Sequence, residues 1–139
     1  MPQQFHTRSA AETEALGACL AQRLAPGSVV ALFGGLGAGK TAFTRGLARG
    51  LRCEGEVSSP TYALVHEYPG PLPLAHFDMY RVAGLDDLES TGFYDYLEQP
   101  CAMAIEWSEN IEDALPEGCI RVTLSYGEGE NDRVITIEE

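Results

Sequence analysis

The sequence predicts an α/β fold in which parallel strands surround a phosphate-binding loop and antiparallel strands lie elsewhere. Residues 28–33 form a short apolar run rich in β-branched side chains, as expected for a strand buried on both faces. A glycine-rich loop follows, and residues 40–51 then repeat apolar side chains four apart, on one helical face. Residues 101–107 form a second apolar run, which predicts another buried strand.

The other elements are predicted from caps, turn residues and short apolar runs. Ser9 and Glu12 have the spacing of a capping box, which predicts a helix from residue 9 to residue 24. The proline- and glycine-rich residues 69–73 predict a hairpin turn. The remaining predicted elements are strands at 5–7, 62–68, 74–80, 119–126 and 133–138, and short helices at 85–91, 93–97 and 108–115.

Length and composition predict one domain, spanning residues 1–139, with a single core. The 45% hydrophobic and 22% charged residues are ordinary for a globular protein, and no apolar stretch approaches the roughly twenty residues of a membrane span. The N-terminus does not resemble a signal peptide, and the four widely separated cysteines are typical of reduced thiols. We therefore expect a cytoplasmic protein without a membrane partner, monomeric when alone.

The charge balance bears on nucleic-acid binding. Nine basic residues against twenty-one acidic ones give a net charge of −12. Stable binding of DNA or RNA by this chain alone is disfavoured, because neutralisation of phosphates supplies most of such affinity. Arg45, Arg49 and Arg52 could form a local basic patch, or they could lie on a solvated helix face.

The glycine-rich loop, residues 34–41, matches the Walker A pattern G-x-x-x-x-G-K-[ST]. Its Lys40 is the only lysine in the chain, and we predict that it reaches the β- and γ-phosphates as a compact point charge. The Thr41 hydroxyl is a candidate Mg²⁺ ligand. The predicted nucleotide-binding residues of the loop and first helical turn are Gly35, Leu36, Gly37, Ala38, Gly39, Lys40, Thr41 and Ala42.

Two acidic residues are candidate partners of this loop. Asp78 lies near the end of a predicted strand, two residues after His76, so both side chains share a face. Glu106 ends the apolar run 102–105, as in a Walker B element. We predict that Asp78 and Glu106 join Thr41 around Mg²⁺, and that Glu106 polarises the attacking water. The open alternative is that each acid is a solvated strand end.

A polar segment, Ser58-Ser59-Pro60-Thr61-Tyr62, leads into a predicted strand. The Thr61 hydroxyl could sense the γ-phosphate, as switch threonines of phosphate-binding loops do. A simple turn at the strand entry explains the segment equally well.

Five segments, in this order and spacing, resemble the bacterial TsaE (YjeE) family over most of the chain. The segments H-x-D-x-Y-R at 76–81 and I-E-W-x-E at 105–109 are more specific than the Walker loop, which many families share. Gly35 departs from the family pattern, which usually has an acid at that position. The five segments are 34–41, 59–62, 76–81, 89–92 and 105–109.

The resemblance implies a P-loop NTPase-like three-layer sandwich, with a central mostly parallel sheet and antiparallel additions. It also implies an ATPase that uses ATP and Mg²⁺ in bacterial tRNA modification, weak alone and stimulated by its partners. Those partners are the proteins TsaD and TsaB, which install threonylcarbamoyl on the adenosine beside the anticodon, so that this chain is not itself the transferase. It would meet tRNA only through that complex. The family precedent supports Thr41 and Asp78 as Mg²⁺ ligands, Glu106 acting on the water and Thr61 in a switch-like loop.

Four residues keep open alternatives. Trp107, the only tryptophan, could lie near the nucleotide or serve as a core or partner-facing aromatic. Arg81 could stabilise transition-state charge or bind a partner. His66 and His76 are expected opposite each other across the hairpin, and His76 is expected to orient Asp78 or its neighbours by hydrogen bonding.

Other function classes share the loop. A GTPase is excluded, because its guanine-reading N-K-x-D motif needs a second lysine. A small-molecule kinase stays open, although no arginine-rich lid or acceptor site is recognisable. A non-catalytic, nucleotide-gated adaptor also stays open.

Overall fold

The computed structural model describes residues 2–35, 37–55, 65–82 and 85–139, with only the backbone of residues 85 and 86. The strands are β1 (Gln3–Thr7), β2 (Val29–Phe33), β3 (Val65–Tyr68), β4 (Leu74–Asp78), β5 (Ala102–Glu106), β6 (Ile120–Tyr126) and β7 (Arg133–Glu138). The helices are α1 (Ala10–Ala21), α2 (Lys40–Gly50), α3 (Leu85–Ser90) and α4 (Phe93–Leu97), with a 3₁₀ helix at Ser108–Ala114.

The described strands form one sheet in the order β1-β7-β6-β2-β5-β4-β3. The four central strands, β6, β2, β5 and β4, are parallel to one another. β1 and β7 extend one edge and β3 extends the other, all by antiparallel pairing. This arrangement confirms the predicted α/β fold with parallel strands around the loop and antiparallel strands elsewhere.

Helices cover both faces of the sheet and make it the middle of three layers. On one face, Leu20 of α1 and Phe43 and Leu47 of α2 pack in one buried cluster with Val30 and Leu32 of β2. The opposite face has its own buried cluster, which includes Phe77, Phe93, Met103, Ile105 and Ile111. Strands buried on both faces lack polar alternation, which explains the continuous apolar runs at β2 and β5.

Helices α1 and α2 pack closely because glycines lie where they meet. A Cβ atom added to Gly46 of α2 would stand 1.9 Å from the carbonyl oxygen of Glu14, and one added to Gly17 of α1 would stand 2.3 Å from that of Phe43. Both distances are far below van der Waals contact, and the obstacles are backbone atoms that cannot rotate away. The spacing of the two helices therefore depends on these glycines.

We expect Gly46→Ala to destabilise the protein by about 1–3 kcal/mol or more, because the new methyl group forces the two helices apart. The measurement is the free energy of unfolding in urea. Gly35→Ala is the matched control, since a Cβ there meets nothing within 4 Å, and its effect should stay within about 0.5 kcal/mol. Equal stability of the two variants would contradict the packing described here.

Most element boundaries agree with the predictions, and the differences have local causes. The first helix ends at Ala21 rather than residue 24, because its last turn tightens into bonds from Arg23 N to Leu20 O and from Leu24 N to Ala21 O. Strand β4 ends at Asp78 rather than residue 80, because the Asp78 carboxylate accepts a hydrogen bond from Tyr80 N at 2.9 Å and turns the chain. Of the predicted strand 62–68, residues 62–64 lie outside the described residues.

Several smaller predictions can also be compared. His66 and His76 are opposite each other in the β3–β4 pairing, as predicted. The Ser9 hydroxyl caps Glu12 N at 3.1 Å, while the Glu12 carboxylate accepts from Arg8 N rather than from Ser9 N. Arg52 lies beyond the end of α2, so it does not share a helix face with Arg45 and Arg49.

All four cysteines are free thiols. Within the part of the chain that the structure describes, none of the helices combines the length and the apolar character that crossing a membrane requires.

Candidate functional site

The glycine-rich loop and both candidate acids meet at one edge of the sheet. The loop follows β2, Asp78 ends β4 and Glu106 ends β5, and these three strands are parallel neighbours. Asp78 and Glu106 are direct partners in the strand register. Ligands of α/β sheets bind outside the carboxyl ends of the strands, so this edge is the expected position for a site.

The loop requires glycine where it turns into α2. Gly39 precedes the first helical residue with a φ of 106°, a conformation that side chains with a Cβ rarely adopt. The turn points the start of α2 at the cavity beside the loop, where the backbone N–H groups of a first helical turn and the helix dipole favour an anion.

Lys40 extends back along the loop. Its Nζ donates to the Gly34 carbonyl oxygen at 2.7 Å and lies 3.5 Å from the centroid of a Trp107 ring. Burial lowers the pKa of Lys40, while the charges of Glu106, Glu109 and Asp78 oppose that shift. The ammonium is thus held between a carbonyl and an aromatic face, surrounded by carboxylates.

The Trp107 side chain lines the cavity between Lys40 of the loop and Tyr80. Its backbone has φ 59° and ψ 40°, a left-handed conformation that is uncommon for a bulky residue and costs about 1–3 kcal/mol. The ring packs against that of Tyr80 at 4.9 Å between centroids, with the two planes tilted by 56°, and Tyr80 is 61% exposed. Asn110 fastens this segment to the end of β4 by donating to the carbonyl oxygens of Met79 and Tyr80.

Glu106 is 4% exposed and is held through one carboxylate oxygen. His76 Nε2 lies 2.5 Å from Glu106 Oε2, and the Thr41 hydroxyl donates to the same oxygen at 3.5 Å. The expected hydrogen bond of His76 therefore goes to Glu106 on the neighbouring strand, and His76 makes no hydrogen bond to Asp78, which the structure also describes.

Asp78 lies beside this pair and is partly exposed. Burial raises the pKa of Asp78, the hydrogen bond from Tyr80 N lowers it, and the nearby Glu106 charge raises it. Two carboxylates this close repel each other when both are ionised, so a cation between them would be stabilising.

A cavity of about 460 Å³ brings most of the predicted residues together. Tyr80, which was not predicted, also lines it. The predicted residues in its lining are Gly37, Gly39, Lys40, Thr41, Ala42, Asp78, Glu106 and Trp107.

The other predicted residues that the structure describes do not line this cavity. Ala38 is 1% exposed and belongs to the core beneath the loop. Gly35 is in the loop but outside the lining. Leu36 and Thr61 lie outside the described residues. Arg81 is exposed after the end of β4 and makes no ion pair with a described residue, so its role stays a prediction.

Two hydrogen bonds to the glycine-rich loop come from side chains that the sequence analysis did not predict at the site. Glu109 Oε2 accepts from Gly34 N at 2.9 Å, and Arg133 Nη2 donates to the Gly37 carbonyl oxygen at 3.1 Å. Glu109 belongs to the I-E-W-x-E segment, which offered the only hint of its importance. Arg133 is 96 residues from Gly37 along the chain, so only the tertiary structure brings them together.

The residues present suit Mg²⁺. No three acidic, histidine or cysteine side chains form a metal cluster within the described ranges. The candidate metal ligands in the cavity are instead the carboxylates of Asp78 and Glu106 and the hydroxyl of Thr41, all of which would bind through oxygen. Mg²⁺ prefers oxygen ligands and commonly takes only one or two carboxylates, completing its shell with water and substrate phosphates.

The fold and the site together define a three-layer α/β protein of the P-loop NTPase-like type, with its polar residues gathered at the carboxyl edge of the sheet. Residues 7–135 match the family model described as threonylcarbamoyl adenosine biosynthesis protein TsaE. The chain therefore belongs to the TsaE family.

Known proteins support this assignment over most of the chain. The chain is 41% identical over 118 residues to the tRNA threonylcarbamoyladenosine biosynthesis protein TsaE of Treponema pallidum, covering 85% of this chain and 87% of that one. It is 37% identical over 134 residues to the protein of the same name from Bacillus subtilis, covering 96% and 83%. The crystal structure of Bacillus subtilis YdiB superposes with a TM-score of 0.82 at 34% identity, covering 99% of this chain and 84% of that one.

Proposed function

We propose that this chain binds and hydrolyses Mg·ATP as an accessory, regulatory component of the assembly that forms threonylcarbamoyladenosine beside the anticodon of tRNA. The observation that carries the proposal is the meeting of Lys40, Thr41, Asp78 and Glu106 at one cavity beside the N-terminus of α2. The names of the relatives support the tRNA pathway.

The loop would bind the phosphates. Backbone N–H groups at the start of α2 face the cavity, and the helix dipole adds about half a positive charge there. Lys40 would exchange the Gly34 carbonyl and the Trp107 ring for phosphate oxygens. Because Lys40 is only 5% exposed before nucleotide binds, little further desolvation accompanies that exchange.

Thr41, Asp78 and Glu106 would hold Mg²⁺, directly or through water. When bound, Mg²⁺ neutralises charge on the phosphate oxygens. Glu106 would also accept a hydrogen bond from the attacking water through Oε1, the oxygen that no described residue occupies. Water then bonds to the γ-phosphorus, the bond to the β–γ bridging oxygen breaks, and that oxygen leaves with ADP.

The acidic charge fits an accessory role. With a net charge of −12, the chain is poorly suited to hold tRNA by itself, whereas its partners, TsaD and TsaB, could do so. In this role the chain couples ATP hydrolysis to the state of the complex and does not transfer the threonylcarbamoyl group.

Phosphate release from Mg·ATP tests the proposal, measured for the chain alone and with the TsaD–TsaB pair of the same host, beside Lys40→Ala. We expect weak, lysine-dependent release that rises when the pair is added. Release that is indifferent to the pair would overturn the accessory role and would favour a P-loop enzyme with its own acceptor. Release that is unchanged in Lys40→Ala would not arise at this loop and would overturn the proposal.

A further inference from the structure

His76 is buried on β4, next to the edge strand β3, and its imidazole has one hydrogen-bond partner among the described residues. Its exposure is 0%, and Nε2 meets Glu106 Oε2 at 2.5 Å. Its other ring nitrogen, Nδ1, is buried and has no hydrogen-bond partner among the described residues. Buried polar groups are normally hydrogen-bonded, and the one hydrogen bond that His76 makes within the described part of the chain goes to Glu106.

The strand register explains how His76 reaches Glu106. His76 on β4 is level with Ala104 on β5, and Asp78 is level with Glu106. Alternation places His76, Asp78, Ala104 and Glu106 on the same face of the sheet, the face covered by α1 and α2. Because the Ala104 side chain is only a methyl group, the imidazole can lie beside it and extend toward the end of β5.

The hydrogen bond distinguishes the two oxygens of Glu106. His76 and Thr41 both bind Oε2, and no described residue bonds Oε1. Oε1 is not a buried atom without a partner, as His76 Nδ1 is. Because Glu106 lines the cavity, we infer that Oε1 is the oxygen that faces it. The carboxylate is thus fixed with one oxygen toward the protein and the other toward the cavity.

We infer that His76 is a positioning residue, which holds the Glu106 carboxylate so that Oε1 points at the attacking water. The inference rests on the hydrolysis proposed above and adds a residue to it. Nε2–H donates to Oε2, which fixes the tautomer and limits rotation of the carboxylate. His76 acts on the rate of the chemical step through Glu106 and does not touch the nucleotide.

Replacing His76 tests the inference through separate readings of kcat and nucleotide affinity. In His76→Leu we expect kcat to fall about 10- to 100-fold, the usual effect of removing a residue that orients a site group, with Mg·ATP affinity changed less than about threefold. His76→Gln should retain most of kcat, because the glutamine amide can donate at the position of Nε2. His76→Asn should not, because its amide is too short to reach Glu106.

A double-mutant cycle separates positioning from a general structural role. In a Glu106→Gln background, His76→Leu should lower kcat by less than about twofold, because residues that act as a unit are not additive. Additive losses, or equal activity of the glutamine and asparagine variants, would overturn the inference. If His76→Leu does not fold, the comparison of the glutamine and asparagine variants decides alone.

The wild-type assay separates this inference from the proposed function. Lysine-dependent hydrolysis that requires Glu106 but is indifferent to every His76 variant would overturn the inference and leave the proposed function intact. Absence of lysine-dependent hydrolysis in the wild type would overturn both.

Discussion

Glu106→Gln should lower the rate of ATP hydrolysis by about 10²–10³-fold while leaving Mg·ATP binding within a few-fold of wild type. Glutamine has nearly the same shape as glutamate and can keep a contact with His76. It cannot accept a proton from the attacking water or attract a cation as strongly. The expected loss therefore falls on the chemical step, and the measurements are kcat from phosphate release and the nucleotide dissociation constant.

Glu112→Gln is the matched control for this variant. Glu112 is exposed and pairs with Arg121 at 2.9 Å, away from the cavity, so its loss should leave kcat unchanged. Near-normal hydrolysis by Glu106→Gln would contradict the role of Glu106 in the chemistry. Glu106→Ala in cells then distinguishes an ATPase cycle from a nucleotide-gated adaptor, because an adaptor keeps its cellular role when hydrolysis is lost.

Lys40→Ala should lower the rate of ATP hydrolysis by about 10³-fold or more. It should also weaken nucleotide binding, because a buried cation at the phosphates is lost. Lys40→Arg should not restore activity, since a planar guanidinium does not fit the loop as a point charge does. Trp107 offers a direct readout of binding. Its ring lies 3.5 Å from Nζ, so nucleotide that draws Lys40 away should change the tryptophan emission.

Arg45→Ala is the control for the lysine variants. Arg45 is an exposed cation on the same helix, and its removal should change neither phosphate release nor the emission response. A Lys40→Ala protein that still shows the wild-type emission change would contradict binding of the phosphates at this loop.

Much of the fold could be predicted because many of its helices, strands and turns are specified by residues close together in the sequence. The apolar runs at β2 and β5, the Ser9 cap and the turn at 69–73 each depend on neighbours in the chain. The largest errors fell at element ends, as at the close of α1, where the last turn tightened. Such ends are decided by a few hydrogen bonds that sequence patterns describe poorly.

The sequence predicted which residues belong to the candidate site, but it did not predict the contacts between them. Lys40, Thr41, Asp78 and Glu106 were recognised from a motif and from their places at strand ends, and all four line the same cavity. The partner of His76 could not be assigned, because the choice between Asp78 and Glu106 depends on which strand lies beside β4.

The sequence by itself determined the strand–loop–helix unit, the single lysine of the loop and the acids available to it. These features depend only on residue types and on spacings along the chain, which are the same whether or not the chain is folded. The tertiary structure alone decided that Trp107 covers Lys40, that Glu109 and Arg133 bind the loop, and that His76 holds one oxygen of Glu106. The physical reason is that these contacts join residues far apart in the chain, and only the order and register of the strands in the folded sheet bring those residues together.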